Sequence, residues 1–81
     1  MNDKHLLFYN FAYHLAEYAY KNDEVPVGAV IINDESYELI ASSYNQMKSN
    51  RSSIDHAEIL ALKIAMNKLN NERLNGHSMI T

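Results

Sequence analysis

Val27-Gly28-Ala29-Val30-Ile31-Ile32 is an unbroken apolar run, and four of its six residues are β-branched. So short a run predicts a strand, and the absence of polar alternation predicts cover on both faces. Pro26 ahead of it holds Val25 extended. Behind it, Asn33-Asp34-Glu35-Ser36 is turn chemistry, because short polar side chains there bond their own backbone. Tyr37 to Ser43 then reads as a second strand, antiparallel to the first as a hairpin.

Working outward, Asp3 to about Lys21 predicts a helix capped by Asn2 or Asp3. Leu7, Phe8, Phe11, Leu15, Tyr18 and Ala19 recur at three- and four-residue spacing and draw its apolar stripe, while Glu17 and Lys21 make an i,i+4 pair. Asn22-Asp23-Glu24 ends it. On the other side of the hairpin, Tyr44 to Ile54 is polar and irregular. Asp55 then caps a helix from His56 to about Asn70, with Ile59, Leu62, Met66 and Leu69 as its buried stripe, widened by Leu60 and Ala65. Asn75-Gly76 is a stop signal, and His77 to Thr81 begins a third strand. The order α-β-β-α-β predicts an α/β architecture with helices packed on a mixed sheet. If the last strand lies inside the sheet, its outer edge is unpaired.

Eighty-one residues make one small domain or a piece of a larger one. A chain of this size buries roughly 60–65% of its unfolded surface. With no cysteine, neither a disulfide nor a thiolate metal site can reinforce it. A hydrophobic content of 47% with 21% charged residues fits a globular protein rather than a disordered tail. The net charge of -3 offers no broad cationic footprint for nucleic acid, and only Lys48 and Arg51 fall together. The polar start Met1-Asn2-Asp3-Lys4-His5 is neither a signal peptide nor a membrane span, so a cytoplasmic location is the default.

Asp55-His56-Ala57-Glu58-Ile59 carries the chemistry. Zinc binds neutral imidazole, and the orphan N–H groups of a helix start favour a nearby carboxylate. H-x-E is the first half of a zinc deaminase signature whose second half, P-C-x-x-C, supplies two thiolates. That second half is missing from a chain without cysteine. Taken alone, the tripeptide fits a capped helix that happens to carry His56 and Glu58. His5, His14 and His77 lack even that context and read as solvated or partly buried side chains.

The surrounding text changes the balance. Glu24-Val25-Pro26-Val27-Gly28-Ala29-Val30-Ile31, then Asn45, then Asp55-His56-Ala57-Glu58-Ile59-Leu60-Ala61-Leu62, resembles the N-terminal half of the tRNA-specific adenosine deaminases, within the cytidine deaminase-like superfamily. Asn75 to Thr81 looks like the strand that leads, in that family, into L-E-P-C-x-x-C. Departures are Asn45-Gln46 where many members have Asn-Arg, and Ser52-Ser53-Ile54-Asp55 where many have Asp-Pro-Thr-Ala.

The resemblance implies a truncated three-layer cytidine deaminase-like fold, residues 1–81 being the N-terminal part of a single zinc deaminase domain. It makes His56 a zinc ligand, with the two thiolate ligands missing, and Glu58 the proton shuttle from metal-bound water to the purine. It also assigns Asn45, Val27, Gly28, Ala29 and Ala57 to the substrate, Gly28 being small enough for close approach of the base. The implied reaction is adenosine-to-inosine deamination at the wobble position, with the tRNA anticodon loop as partner and a homodimer if the domain is complete. The incomplete ligand set makes an inactive fragment the expectation. Alternatives are a catalytically dead remnant, a partner-binding module, or a deaminase of free cytosine- or guanine-type bases.

Overall fold

The computed structural model describes residues 3–48, 56–69 and 76–81. Helix α1 spans Asp3–Lys21, strand β1 Gly28–Asn33, strand β2 Leu39–Tyr44, helix α2 Ala57–Leu69 and strand β3 His77–Ile80. The expected order α-β-β-α-β holds. The sheet runs β2-β1-β3, and both ladders are antiparallel. The expected mixed sheet is therefore not found among the described strands. Both neighbours of β1 run against it, so the α2 crossover joins two parallel strands, β2 and β3, that β1 keeps apart.

Strand pleating makes three layers. Val30 and Ile32 pack with Ala12 of α1 and Ile80 of β3, edged by Phe8, Phe11 and Leu15. Ala29 and Ile31 pack on the opposite face with Ile40, Ala41 and the Ala57, Ala61 and Ala65 row of α2. Cover on both faces of β1 is as the sequence predicts.

Three local expectations are corrected. Tyr37 has φ 58°, and its N–H bonds the Asn33 carbonyl at 2.8 Å, so the second strand starts at Leu39 rather than Tyr37. The Asn33 side chain holds this turn by accepting from the N–H groups of Glu35 and Ser36. In α2, Ile59 and Leu62 are exposed, and the stripe facing the sheet is Ala57, Ala61 and Ala65. Their small side chains let the helix lie close to β1 and β2, while Leu69 packs against the same cluster as expected. In α1, Leu7 and Tyr18 are exposed while Ala12 is buried, and Glu17 pairs with His14 at 3.0 Å.

The end of α1 is a Schellman motif. The Glu24 N–H reaches the Ala19 carbonyl at 2.9 Å and the Asp23 N–H reaches that of Tyr20 at 3.1 Å, with Asp23 left-handed at φ 62°. This reversal turns Glu24 inward, where it is 7% exposed.

Candidate active site

His56 precedes α2, and its carbonyl accepts the Leu60 N–H at 3.0 Å, so it occupies the N-cap position. The predicted capping residue Asp55 lies outside the described residues. Both His56 and Glu58 are exposed, whereas Ala57 between them is fully buried. The helix start thus anchors itself through its middle residue and leaves the flanking imidazole and carboxylate at the surface.

The anchor is made by side chains from β2 and the residue after it. Asn45, 2% exposed, accepts the Ala57 N–H on its Oδ1 at 2.7 Å. Ser43, also buried, donates its hydroxyl to the Ala57 carbonyl. Both polar groups of Ala57 are therefore bonded within the core, as buried backbone groups require. Asn45 is held in turn by its N–H on the Val27 carbonyl at 3.1 Å. These contacts tie the Val27 end of β1, the end of β2 and the start of α2 into one corner. Ser43 was missed by sequence reasoning, because a serine near a strand end carries no signal of a partner fourteen residues away.

The substrate-lining expectation divides along the pleat of β1. Val27 and Ala29 pack on the α2 side, in the cluster that contains Ala57. Gly28 points the other way: a Cβ there would lie 2.3 Å from the Ala12 carbonyl oxygen, 2.6 Å from the Leu15 Cβ and 2.9 Å from the Ala16 nitrogen. A close approach that requires a glycine here is made by α1. Gly28 and Val27 both line a groove of about 600 Å³ on the α1 face, with Tyr9, Tyr13, Pro26 and Thr81.

Near the corner, burial above all raises the Tyr44 phenol above its ordinary pKa. The Tyr18 phenol, packed edge-on at 4.8 Å, and the Glu24 carboxylate add to that rise.

The zinc expectation meets a plain limit. Among the described residues, no three His, Cys, Asp or Glu side chains converge to hold a metal, and the chain has no cysteine. The corner offers one imidazole where a catalytic zinc takes about three protein ligands. These residues by themselves do not fit the metal.

Residues 2–81 match the family model of the cytidine and deoxycytidylate deaminase zinc-binding region. The chain belongs to this deaminase family. It is 36% identical over 64 residues to the tRNA-specific adenosine deaminase of Rickettsia bellii, covering 79% of this chain and 44% of that protein. The corresponding enzyme of Aquifex aeolicus is 36% identical over 69 residues, covering 85% of this chain and 44% of the relative. Among solved structures, one from studies of A-to-I editing by tRNA deaminases at the wobble position superposes with a TM-score of 0.86 at 33% identity, covering 93% of this chain and 56% of that one. The guanine deaminase of Bacillus subtilis superposes with a TM-score of 0.84 at 29% identity, covering 98% and 48%. The deaminase-family chain thus spans less than half the length of these curated relatives. No helix among its described residues is long and apolar enough to cross a membrane.

Proposed function

We propose that this chain is the substrate-positioning and proton-transfer part of a hydrolytic deaminase acting on adenosine at the wobble position of tRNA. The observation that carries the proposal is the Ala57 peptide, bonded on both sides by Asn45 and Ser43 between exposed His56 and Glu58. Such a clamp fixes how far apart an imidazole and a carboxylate stand, and hydrolysis of an amidine-like purine needs that spacing controlled. Glu58 accepts a proton from the attacking water and returns it to the departing amine, so adenine plus water gives hypoxanthine plus ammonia. Asn45 contacts the nucleoside from its buried seat, with Val27, Ala29 and Ala57 forming the adjoining wall. His56 would supply one zinc donor, and the remaining donors would have to come from outside these 81 residues. The tRNA anticodon loop is the partner, and the identity to tRNA adenosine deaminases over most of the chain supports it. The 81 residues alone do not turn over.

The guanine deaminase likeness over 98% of the chain favours a second reading, deamination of a free purine base. One experiment separates the two. The chain is assayed alone, and together with a polypeptide carrying the part of the Rickettsia bellii relative that this chain does not match, on a tRNA anticodon stem-loop and on guanine. Inosine formed only in the combined sample supports the proposal. Xanthine without inosine favours the second reading, and turnover by the chain alone overturns the division of labour.

A further inference from the structure

Among the described residues three polar or charged side chains are buried: Glu24, Ser43 and Asn45. Ser43 and Asn45 hold Ala57. The carboxylate of Glu24 accepts the backbone N–H of Lys48 through Oε1 at 3.0 Å. Lys48 is three residues beyond Asn45, so this bond closes a short loop whose other end is the Asn45 N–H on the Val27 carbonyl. Glu24 and Val27 lie on one segment, between α1 and β1, and Asn45 and Lys48 lie on the segment leaving β2. The two segments are pinned at both ends, with Asn45 at one of the pins.

A buried carboxylate is a costly way to join two loops, since removing the charge from water opposes folding unless the group is well bonded. Here the described bond is to a backbone N–H, and the Schellman reversal at Asp23 is what brings the carboxylate to it. The arrangement sets loop geometry.

We propose that Glu24 is a positioning residue: by holding the Lys48 N–H it fixes the 45–48 segment, and through Asn45 it fixes the Ala57 peptide that spaces His56 and Glu58. The functional part of this inference rests on the reading of Asn45 as the nucleoside contact.

The test uses the 81-residue chain and amide hydrogen exchange, which needs no turnover. Glu24→Ala is expected to speed exchange at Lys48, Asn45 and Ala57 by about tenfold or more relative to Val30 and Ile31 of β1. Glu24→Gln, whose side-chain carbonyl still accepts, is expected to restore most of the protection. Should Glu24→Ala fail to fold, Glu24→Asp replaces it: the carboxylate then falls one methylene short, and Lys48 and Ala57 are expected to exchange faster than in Glu24→Gln. An unmoved Ala57 amide, or a uniform rise that includes Val30 and Ile31, overturns the proposal. So does an Asp variant no faster than Gln. In the combined sample that deaminates, Glu24→Ala should raise KM about tenfold more than it lowers kcat, with Gln rescuing. Equal effects on both refute the positioning role. Absence of any deamination removes the functional reading while leaving the exchange result standing.

Discussion

Adding one methyl group at Gly28 tests the most constrained contact in the molecule. An ideal Cβ at this position sits 2.3, 2.6 and 2.9 Å from the Ala12 oxygen, the Leu15 Cβ and the Ala16 nitrogen. Carbon atoms pack comfortably at about 3.5–4.0 Å, so α1 would have to retreat by roughly 1 Å along much of its contact with β1. Two of the three atoms are backbone, and no rotamer change moves them. Overpacking of a tight core costs about 1–3 kcal/mol and sometimes more, and this site belongs at the upper end, near ~3 kcal/mol. An 81-residue chain has only about 4–12 kcal/mol of total stability. Gly28→Ala should therefore lower the urea midpoint sharply, with the slope unchanged. Adding Leu15→Ala should not rescue it, because alanine keeps the Cβ that makes the 2.6 Å contact. Gly76→Ala is the matching control: nothing lies within 4 Å, but φ is +75°, so a cost of about 1–2 kcal/mol is expected from backbone strain alone. A Gly28→Ala loss below about 1 kcal/mol, measured without any ligand, would refute the claim that α1 demands this glycine.

Asn45→Ala should destabilise the chain by about 1–3 kcal/mol, because the Ala57 N–H is left buried without its acceptor; Asn45→Asp keeps an acceptor oxygen and should lose less in the same urea titration. Tyr44 has a raised pKa in the folded state, so its contribution to stability is intact below the ordinary phenol value of about 10 and lost as pH climbs through the higher folded value. The stability of Tyr44→Phe should accordingly fall less as pH climbs from about 10 through the folded value, and parallel curves would remove the burial argument. Because the chain has no thiolates and its described residues form no metal cluster, EDTA should leave its melting temperature unchanged within about 1 °C.

What could be read from the sequence was whatever depends on near neighbours. The run from Val27 to Ile32 is apolar on both pleat faces, and it became the central strand; the limits of α1 were equally legible from its periodicity. Reading failed where size and distance decide. Ile59 and Leu62 are more hydrophobic than alanine, yet Ala57, Ala61 and Ala65 face the sheet, because closeness of approach outweighs the area each side chain could bury. Tyr37 carries no sign of a left-handed backbone, and the hairpin imposes it. His56 and Glu58 were visible as a motif, and Asn45 stood out by resemblance. The bonds joining Asn45 and Ser43 to Ala57 span twelve and fourteen residues, and no local pattern encodes them.

The corner therefore separates two tasks that a complete deaminase must join. Ser43 and Asn45, both buried, bond the Ala57 peptide between His56 and Glu58, and buried Glu24 bonds the Lys48 N–H. Holding a metal would need a cluster of donors, and no three His, Cys, Asp or Glu side chains converge among the described residues. The backbone beside His56 is held by buried bonds, so less of the chain would remain to be ordered when a metal and other donors arrive. That order is the reverse of a zinc-nucleated fold, where binding energy drives folding. In this chain the backbone carrying His56 and Glu58 is held by strand ends and buried hydrogen bonds. A variant that breaks those bonds should weaken positioning even with His56 and Glu58 untouched.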